Sequence, residues 1–272
     1  MSGSPALFDA HLHLRDARIL PFHSRYVKDA LDGGVTACID CASRPEEWAM
    51  EVSSSLAATT AYGLHPWYAA VSVPNWLECL ECALAADPNA PVGEIGLDGI
   101  RRVHDGGTAQ RAALTAQLDL AVRLGRPVIL HGARAWSFLF RFLEPWAERI
   151  CAWQLHGISF SHELLALPFF KRANVWFSVG GGILKPAARL LPELLPHLPL
   201  NRLLVETDSP DRFPIGGDPL VLGQHQLLYN QPGNLSCVLR AIATLRAIPY
   251  NELAEQTSQN ARDFLSARCA RG

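Results

Sequence analysis

The segment Phe8-Asp9-Ala10-His11-Leu12-His13-Leu14 opens the chain with an apolar run of strand length that carries two histidines near its end. In a β-strand, residues i and i+2 lie on one face, so His11 and His13 point together while Leu12 points away. The same alternation places Asp9 on the histidine face. Two neutral imidazoles on one rigid strand can chelate a divalent transition metal, although an isolated pair is also common in hydrogen-bonded cores.

A pattern of apolar run, turn and helical segment recurs along the rest of the chain. Strand-length apolar runs occupy residues 6–12, 35–41, 60–64, 91–97, 127–131, 151–156, 174–179 and 202–207. Helical periodicity is clearest over residues 23–32, 45–58, 74–86, 108–124, 137–148 and 235–248. Near-continuous apolar strands that alternate with helices indicate an α/β fold with a parallel sheet covered by helices.

Eight such strands fit a closed (β/α)8 TIM barrel, which needs about 250 residues. We therefore predict a single TIM-barrel domain over residues 1–272, with a metal site at the carboxyl ends of its strands. An open, doubly wound sheet is the alternative. It lacks support because no Gly-x-Gly-x-x-Gly follows a predicted strand.

The composition is that of a globular protein. Of the 272 residues, 49% are hydrophobic, which is enough for a large core. The formal net charge of -2 provides no general attraction for nucleic acid or for an acidic membrane surface. No apolar run reaches the roughly 18 residues of a membrane span, and no secretory leader begins the chain. We expect a cytoplasmic protein that does not bind membranes.

Seven cysteines are scattered through the chain, an odd number that predicts reduced thiols rather than a disulfide framework. Cys38 with Cys41 and Cys79 with Cys82 have the CxxC spacing of a zinc ribbon. The first pair lies in a predicted strand, where a spacing of three sends the side chains to opposite faces. The second lies in a predicted helix, where small thiols fill core space. We therefore predict structural thiols at both pairs.

Ionisable side chains end several of the predicted strands. Burying such a group costs roughly several kcal/mol unless it is paired or bound to a metal. In a parallel barrel the carboxyl ends of all strands open onto one face, where residues distant in sequence meet. Six nitrogen and oxygen ligands are enough for two metal ions that share a carboxylate, whereas one ion with hydrogen-bonded neighbours is the alternative. The six candidates are His11, His13, Glu94, His131, His156 and Asp208, with His65 at the end of another strand.

The candidate residues lie in characteristic segments, which are residues 8–14, Gly63-Leu64-His65-Pro66, Val92-Gly93-Glu94-Ile95-Gly96-Leu97-Asp98, Pro127-Val128-Ile129-Leu130-His131, Leu155-His156 and Leu203-Leu204-Val205-Glu206-Thr207-Asp208-Ser209-Pro210. The last part of the chain adds Asn230-Gln231-Pro232, Asn251-Glu252-Leu253-Ala254 and Asn260-Ala261. In chain order these segments resemble the signatures of the TatD family, a branch of the amidohydrolase-like metal-dependent hydrolases. The resemblance spans nearly the whole chain, and it implies a TIM barrel and metal-dependent DNA hydrolysis.

The resemblance also implies a role for each residue. His65 would contact the phosphate or carbonyl oxygen of the substrate, and Asp208 would be the general base beside a hydroxide that bridges the two metals. Zinc, manganese or magnesium suits the mixed ligands. The ligand sets share Glu94 and are otherwise His11, His13 and Asp208 for one divalent ion, and His131 and His156 for the other.

Three departures from the family pattern lie in loops that would face the substrate. Trp67 stands where members often have a second histidine, Arg134 is displaced by one position, and Gly157-Ile158-Ser159-Phe160 replaces a Phe-Ser-Gly. The metal site is intact, but the substrate stays open. The functions to be separated are hydrolysis of DNA, hydrolysis of a carbonyl centre (ester, lactone, amide or aminoacyl ester), and metal binding without catalysis.

Substrate contacts would have to be local. Glu206, two residues before Asp208, is a candidate to support a metal ligand from the interior. The 210–231 loop, which contains His225, is longer than a typical connection and is expected to shape specificity. Aromatic side chains could stack on bases, although packing is the commoner role. The candidate aromatic rim is Trp67, Trp136 and Phe160, and the candidate phosphate contacts are Arg101, Arg102, Arg134, Lys185 and Arg212.

Overall fold

The computed structural model describes residues 5–52, 54–101, 107–218, 220–222 and 227–267. Eight strands form one sheet in the order β1 to β8, and each neighbouring pair is parallel. They are β1 (Leu7–Leu12), β2 (Val35–Ala42), β3 (Ala57–Tyr62), β4 (Val92–Gly96), β5 (Val128–His131), β6 (Trp153–Leu155), β7 (Val175–Val179) and β8 (Leu203–Val205). A short antiparallel pair, β9 (Leu220–Leu222) and β10 (Leu227–Tyr229), lies in the long loop that follows β8.

Helices connect successive strands. The described α-helices are α1 (His23–Asp32), α2 (Pro45–Trp48), α3 (Trp76–Ala86), α4 (Thr108–Leu124), α5 (Trp136–Phe142), α6 (Pro168–Arg172), α7 (Leu190–Leu194), α8 (Leu235–Arg246) and α9 (Tyr250–Ser266). None of them is long and apolar enough to cross a membrane. The alternation of parallel strands with helices confirms the predicted TIM barrel.

Hydrogen bonds between the ends of β1 and the segment after β8 close the sheet. The N–H of Asp208 donates to the carbonyl oxygen of His11 (3.0 Å), and the N–H of His13 donates to that of Ser209 (2.9 Å). Thr207 donates its N–H and its hydroxyl to the carboxylate of Asp9. Asp9 therefore lies in the seam between β1 and β8, and its expected position on the histidine face is wrong. The β1 register shifts between Asp9 and the end of the strand, which breaks the simple alternation.

The barrel interior is packed with side chains and closed at its amino end by α9. Apolar residues of the strands fill the interior and meet Ala261 and Phe264 of α9. The closed amino end leaves the carboxyl ends of the strands as the face where a cavity can form. The strand residues of this interior cluster are Phe8, Ala10, Ala37, Ile39, Cys41, Ala61, Ile129, Ala152, Trp176 and Leu204.

The cysteines of the described chain are all free thiols. Cys38 packs in the layer between strands and helices and Cys41 in the barrel interior, which confirms that the pair faces opposite ways. On α3, Cys79 is half-buried but Cys82 is exposed, so the expectation that both fill core space is wrong for Cys82. Within the described residues, no group of three or more candidate metal ligands contains a cysteine. The cytoplasmic location remains a prediction.

Three of the predicted elements differ from the structure by three residues or more at one end. The helix predicted over 45–58 ends at Trp48, and β3 begins at Ala57, three residues before the predicted strand. The hydroxyl of Ser54 accepts the N–H of Leu56 (3.1 Å), a local bond that competes with helix formation. The helix predicted over 137–148 ends at Phe142, before Pro145.

The hydrophobic periodicity of the sequence does not predict helix α9, because the buried face of this helix is partly polar. Thr257, Ser258 and Asn260 are buried along with Leu253 and Phe264. These polar residues interrupt the apolar stripe by which an amphipathic helix is recognised in a sequence.

The side chain of Asn260 fastens α9 to the barrel. It is fully buried, and its Nδ2 donates to the carbonyl oxygens of Leu200 and Leu203, both at 2.8 Å. Asn260→Ala leaves both carbonyls without a donor, so we expect a loss of about 2–3 kcal/mol in the free energy of unfolding. Urea unfolding followed by circular dichroism measures it. The exposed neighbour variant Gln259→Ala is the control, and equal midpoints for the two variants would contradict the account.

Candidate active site

The ionisable residues predicted at strand ends meet at the carboxyl end of the barrel. They surround a cavity of about 290 Å³, with His11 buried just beneath it. The contributing positions are His11 in β1 and His13 just after it, His65 after β3, Glu94 in β4, His131 at the end of β5, His156 after β6 and Asp208 after β8.

Glu94 lies at the centre of the site, and its two oxygens face different imidazoles. Oε1 is 2.6 Å from Nδ1 of His131 and 3.3 Å from Nε2 of His156. Oε2 is 3.2 Å from Nε2 of His11 and 3.8 Å from Nε2 of His13. A carboxylate that has two of the candidate ligand histidines at each oxygen has the arrangement required of a ligand shared by two ions.

Asp208 lies beside the same imidazoles. Its Oδ1 is 3.5 Å from Nε2 of His13 and 3.9 Å from Nε2 of His11, and its Oδ2 is 3.8 Å from Nε2 of His156. The φ angle of Asp208 is 57°, a left-handed conformation that aspartate tolerates better than most residues. With this backbone conformation directly after β8, the carboxylate of Asp208 lies between His13, which follows β1, and His156, which follows β6.

Three groups of possible metal ligands occur in the described chain, each with donor atoms within 4.8 Å of one another. They overlap with the two sets implied by the family resemblance without matching them, since His131 groups with His65 and His156 groups with Asp208. The groups are His11, His13 and Glu94; His11, His156 and Asp208; and His65, Glu94 and His131.

The outward ring nitrogens of the β1 histidines contact one residue of β2. Nδ1 of His13 is 2.9 Å from the carbonyl oxygen of Cys41, and Nδ1 of His11 is 3.4 Å from its sulfur. A carbonyl can only accept, so Nδ1 of His13 carries the proton. Its Nε2, which faces the two carboxylates, is then the nitrogen that can bind a metal ion in place of a proton.

Carboxylates hold the outward nitrogens of the other two histidines. Nδ1 of His156 is 3.0 Å from Oε1 of Glu206, and Nε2 of His131 is 3.2 Å from Oδ2 of Asp98. These contacts favour a ring proton on the outer nitrogen of both imidazoles, and the inner nitrogens, which face Glu94, can bind a metal ion that displaces any proton held there. Glu206 thus occupies the supporting position that the sequence suggested.

His65 is oriented in the opposite way. Its Nδ1 accepts the N–H of Trp67 (3.1 Å), so the proton of the neutral ring lies on Nε2. That Nε2 points toward the site, 3.6 Å from Oε1 of Glu94 and 3.3 Å from Nδ1 of His131. Burial lowers the pKa of His65 to about 4, so the ring is neutral near pH 7. This geometry favours a hydrogen-bond donor over a metal ligand.

The buried charges stabilise one another. Burial alone would raise the pKa of Glu94, but His156, His65 and His11 hold it well below its usual range. Burial opposes protonation of His13, yet hydrogen bonding to Asp208 and the charge of Glu94 raise its pKa to about 10. Cationic charge is therefore favoured between the two carboxylates, whether protons or metal ions supply it.

The site fits divalent metal ions. Nε2 of His11 is buried and has no hydrogen-bond partner among the described residues, although it faces Glu94. Burial and the neighbouring His156 lower the pKa of His11, which favours the neutral form that binds metals. Four imidazoles whose inner nitrogens face two carboxylates form a mixed nitrogen and oxygen set suited to zinc, manganese or magnesium.

Other predicted contacts are only partly brought to the cavity. Arg212 lines it, with Nε 3.4 Å from Oδ2 of Asp208. Arg134 and Lys185 do not line it. The candidate aromatic rim is correct only for Trp67. The other two members, Trp136 and Phe160, are buried in the core, and Arg102 and His225 lie outside the described residues.

The sequence did not reveal several residues that shape the site. Cys41 and Asp98 contact candidate ligand histidines, and these contacts depend on strand pairing. Arg18 crosses the mouth of the cavity with ion pairs to Asp16 and Asp211. The sequence offers one indication for Asp98, which is its position two residues after the end of β4.

A TIM barrel whose carboxyl-end cavity gathers imidazoles around two buried carboxylates defines a hydrolase of the metal-dependent barrel class. The family profile described as "TatD related DNase" matches residues 8–266. The chain therefore belongs to the TatD-related DNase family, which confirms the resemblance seen in its motifs.

Individual relatives are similar to this chain over nearly its full length. The "3'-5' ssDNA/RNA exonuclease TatD" of Pantoea vagans is 30% identical over 265 residues, which cover 94% of this chain and 98% of the relative. The crystal structure of the TatD homologue YJJV from Escherichia coli K12 has 28% identity and a TM-score of 0.80, covering 95% and 97% of the two chains. A TatD family hydrolase from Entamoeba histolytica, 17% identical, has the same fold with a TM-score of 0.80 and coverage of 97% and 99%.

Glu206 offers a test of histidine orientation. Its carboxylate also accepts the N–H of Gly157 (2.7 Å) and the hydroxyl of Ser178 (2.5 Å). Glu206→Gln removes the negative charge beside Nδ1 of His156, which weakens the contact that orients this imidazole. We expect metal affinity to fall on the order of ten-fold. Competition with a chromogenic chelator measures this, with exposed Glu148→Gln as the control, and unchanged affinity would contradict the role.

Proposed function

We propose that this protein is a metal-dependent phosphodiesterase that shortens single-stranded DNA from its 3′ end. The observation that carries the proposal is the position of Glu94, which has two of the four candidate ligand histidines at each carboxylate oxygen. Membership of the TatD-related DNase family supports the phosphodiester substrate. The exonuclease name of the Pantoea vagans relative supports the polarity and the single-stranded form.

The residues would divide the work as follows. Bound divalent ions would lower the pKa of a water molecule and stabilise charge on the phosphate oxygens. Asp208 would accept the proton of the attacking water, because its neighbours keep it ionised: burial raises its pKa, but His156 and His13 lower it below its usual range. His65 would donate from Nε2 to a phosphate oxygen. The proposed ligand sets share Glu94 and are otherwise His11, His13 and Asp208, and His131 and His156.

The size of the cavity favours a single strand. At about 290 Å³ it lies near the lower end of the range for ligand pockets, so it accommodates roughly one nucleotide unit, which suits the end of a single strand. The chain has a net charge of -2, so binding of the strand depends on local cations such as Arg212 at the cavity wall.

Cleavage of end-labelled oligonucleotides tests the proposal. Protein stripped with a chelator and then supplied with Mn²⁺, Mg²⁺ or Zn²⁺ is incubated with a 5′-labelled single strand, the matching duplex and a panel of carboxylic esters, lactones and amides. We expect a ladder of successively shorter single strands only when metal is present. Turnover of the carbonyl panel with intact DNA would instead support the carbonyl hydrolase, and metal binding without any turnover would support a non-catalytic barrel.

His65 separates substrate binding from metal binding. In His65→Gln the donor at Nε2 is displaced, so we expect kcat to fall about 10²-fold with the metal content unchanged. Steady-state cleavage and elemental analysis of the same preparation measure the two quantities. A loss of bound metal would show that His65 is a ligand and would contradict the assignment based on its hydrogen bond with the N–H of Trp67.

A further inference from the structure

The side chain of Trp67 forms part of the cavity wall beside His65 and His131. Its side chain is held in place, because Nε1 donates to Oδ2 of Asp98 (2.6 Å). The residue remains 38% exposed, which is high for a tryptophan fixed by a buried carboxylate. A large aromatic surface is thus kept open at the entrance to the proposed active site.

The guanidinium of Arg101 lies over the indole ring of Trp67. Its Cζ is 3.8 Å from the ring centroid, a close cation–π contact. The backbone beneath it is also fixed, because Oδ1 of Asp98 accepts the N–H groups of Ile100 (2.7 Å) and Arg101 (2.9 Å). One aspartate therefore binds both the indole of Trp67 and the backbone of Arg101.

Arg101 reaches the cavity only through its contact with Trp67, and it differs in its partners from the two arginines that line the cavity. Arg18 is neutralised by Asp16 and Asp211, and Arg212 lies beside Asp208. No carboxylate in the described part of the chain lies within ion-pair distance of the Arg101 guanidinium, whose side chain is exposed. Its hydrogen-bond donors are free to face a phosphate, which an arginine edge binds in a bidentate manner.

Asp98 also connects this pair of residues to the proposed metal centre. The Oδ2 atom that accepts the Trp67 indole is 3.2 Å from Nε2 of His131. The stack of Trp67 and Arg101 is therefore separated from a proposed metal ligand by a single carboxylate. A group bound on the stack would lie next to the group that is being hydrolysed.

We propose that Trp67 and Arg101 form a nucleotide subsite next to the scissile phosphate. A nucleobase packs against the indole and guanidinium stack, and the guanidinium edge donates to a backbone phosphate of the same strand. This inference rests on the proposed function and adds to it the part of the substrate that is recognised. Recognition of this kind depends on the presence of a base but little on its identity, because every base has a π face.

Removing the base from the substrate and the ring from the protein tests the subsite. The substrates are 5′-labelled single strands with an abasic tetrahydrofuran residue at one of the last three positions. For the unmodified protein, we expect kcat/KM to fall on the order of ten-fold for the abasic residue at one of these positions. Trp67→Ala should cleave the intact and abasic strands at similar rates, whereas Trp67→Phe should keep most of the discrimination.

Trp146→Ala is the matched control, because its indole also donates to an aspartate (Asp119, 2.8 Å) but does not line the cavity. It should discriminate as the unmodified protein does. A Trp67→Ala variant that discriminates as strongly as the control would overturn the subsite. Arg101→Gln should raise KM with little change in kcat, and it should reduce the dependence of log affinity on log salt by about 0.7, the slope for one phosphate on a single strand.

Binding of the same strands gives a readout that does not depend on cleavage. Fluorescence anisotropy with the Asp208→Asn protein should show base-dependent affinity that disappears when Trp67→Ala is added. Equal affinity for intact and abasic strands would overturn the subsite. Base-dependent binding without cleavage by the unmodified protein would overturn the proposed activity and leave the subsite supported.

Discussion

Replacing Asp208 by asparagine is expected to lower kcat for single-stranded DNA by about 10³-fold, within the range for loss of a general base. Asparagine keeps the size of the side chain and tolerates the left-handed backbone at this position, where φ is 57°. It cannot accept a proton from water. Alanine would add backbone strain to the chemical change, so asparagine gives the cleaner comparison.

Single-turnover cleavage with excess protein measures the rate, and circular dichroism and urea unfolding check the fold. Asp263→Asn on the exposed surface of α9 is the control and should be fully active. An Asp208→Asn protein that keeps more than about a tenth of the rate with normal metal content would rule out Asp208 as the base.

Glu94→Gln is expected to remove metal binding at both proposed positions and to abolish cleavage. The carboxylate faces all four candidate ligand histidines, at 2.6–3.8 Å, and it is almost fully buried. An amide of the same size removes the negative charge that two cations would share, so we expect a rate loss of at least about 10³-fold. Elemental analysis after gel filtration measures the bound metal.

The double variant His11→Ala with His13→Ala distinguishes a shared ligand from a local one. It removes imidazoles from only one oxygen of Glu94, so it should lose one ion and retain the other. Glu94→Gln with unchanged metal content would contradict the shared-ligand arrangement. Loss of both ions from the double variant would contradict the assignment of His131 and His156 to a separate ion.

The barrel was predictable because its strands are near-continuous apolar runs of the right length and number. The convergence of the ligands followed from the same reasoning, since His131 ends β5 and His156 and Asp208 follow β6 and β8. Parallel topology brings such positions to one face whatever the sequence between them. Side-chain hydrogen bonds that compete with helix formation were harder to predict. One example is the Ser54 hydroxyl, which accepts the N–H of Leu56 within the helix predicted over 45–58.

The supporting contacts could not be predicted because they depend on strand register and side-chain direction. The carbonyl of Cys41 meets His13 only through the pairing of β1 with β2. Asp98 contacts both His131 and Trp67, although these residues are distant from it in sequence. The departure at Trp67 was visible as a missing histidine, but its stacking with Arg101 required the conformation of the turn after β4.

Metal-dependent shortening of single-stranded DNA tests the central claim most directly. Chelator-stripped protein is titrated with Mn²⁺, and bound metal and cleavage of a 5′-labelled strand are followed in the same samples. We predict no cleavage without metal, and 3′ shortening that rises with occupancy and reaches its maximum at two ions per chain. Cleavage by the fully stripped protein, or none at full occupancy, would contradict the account.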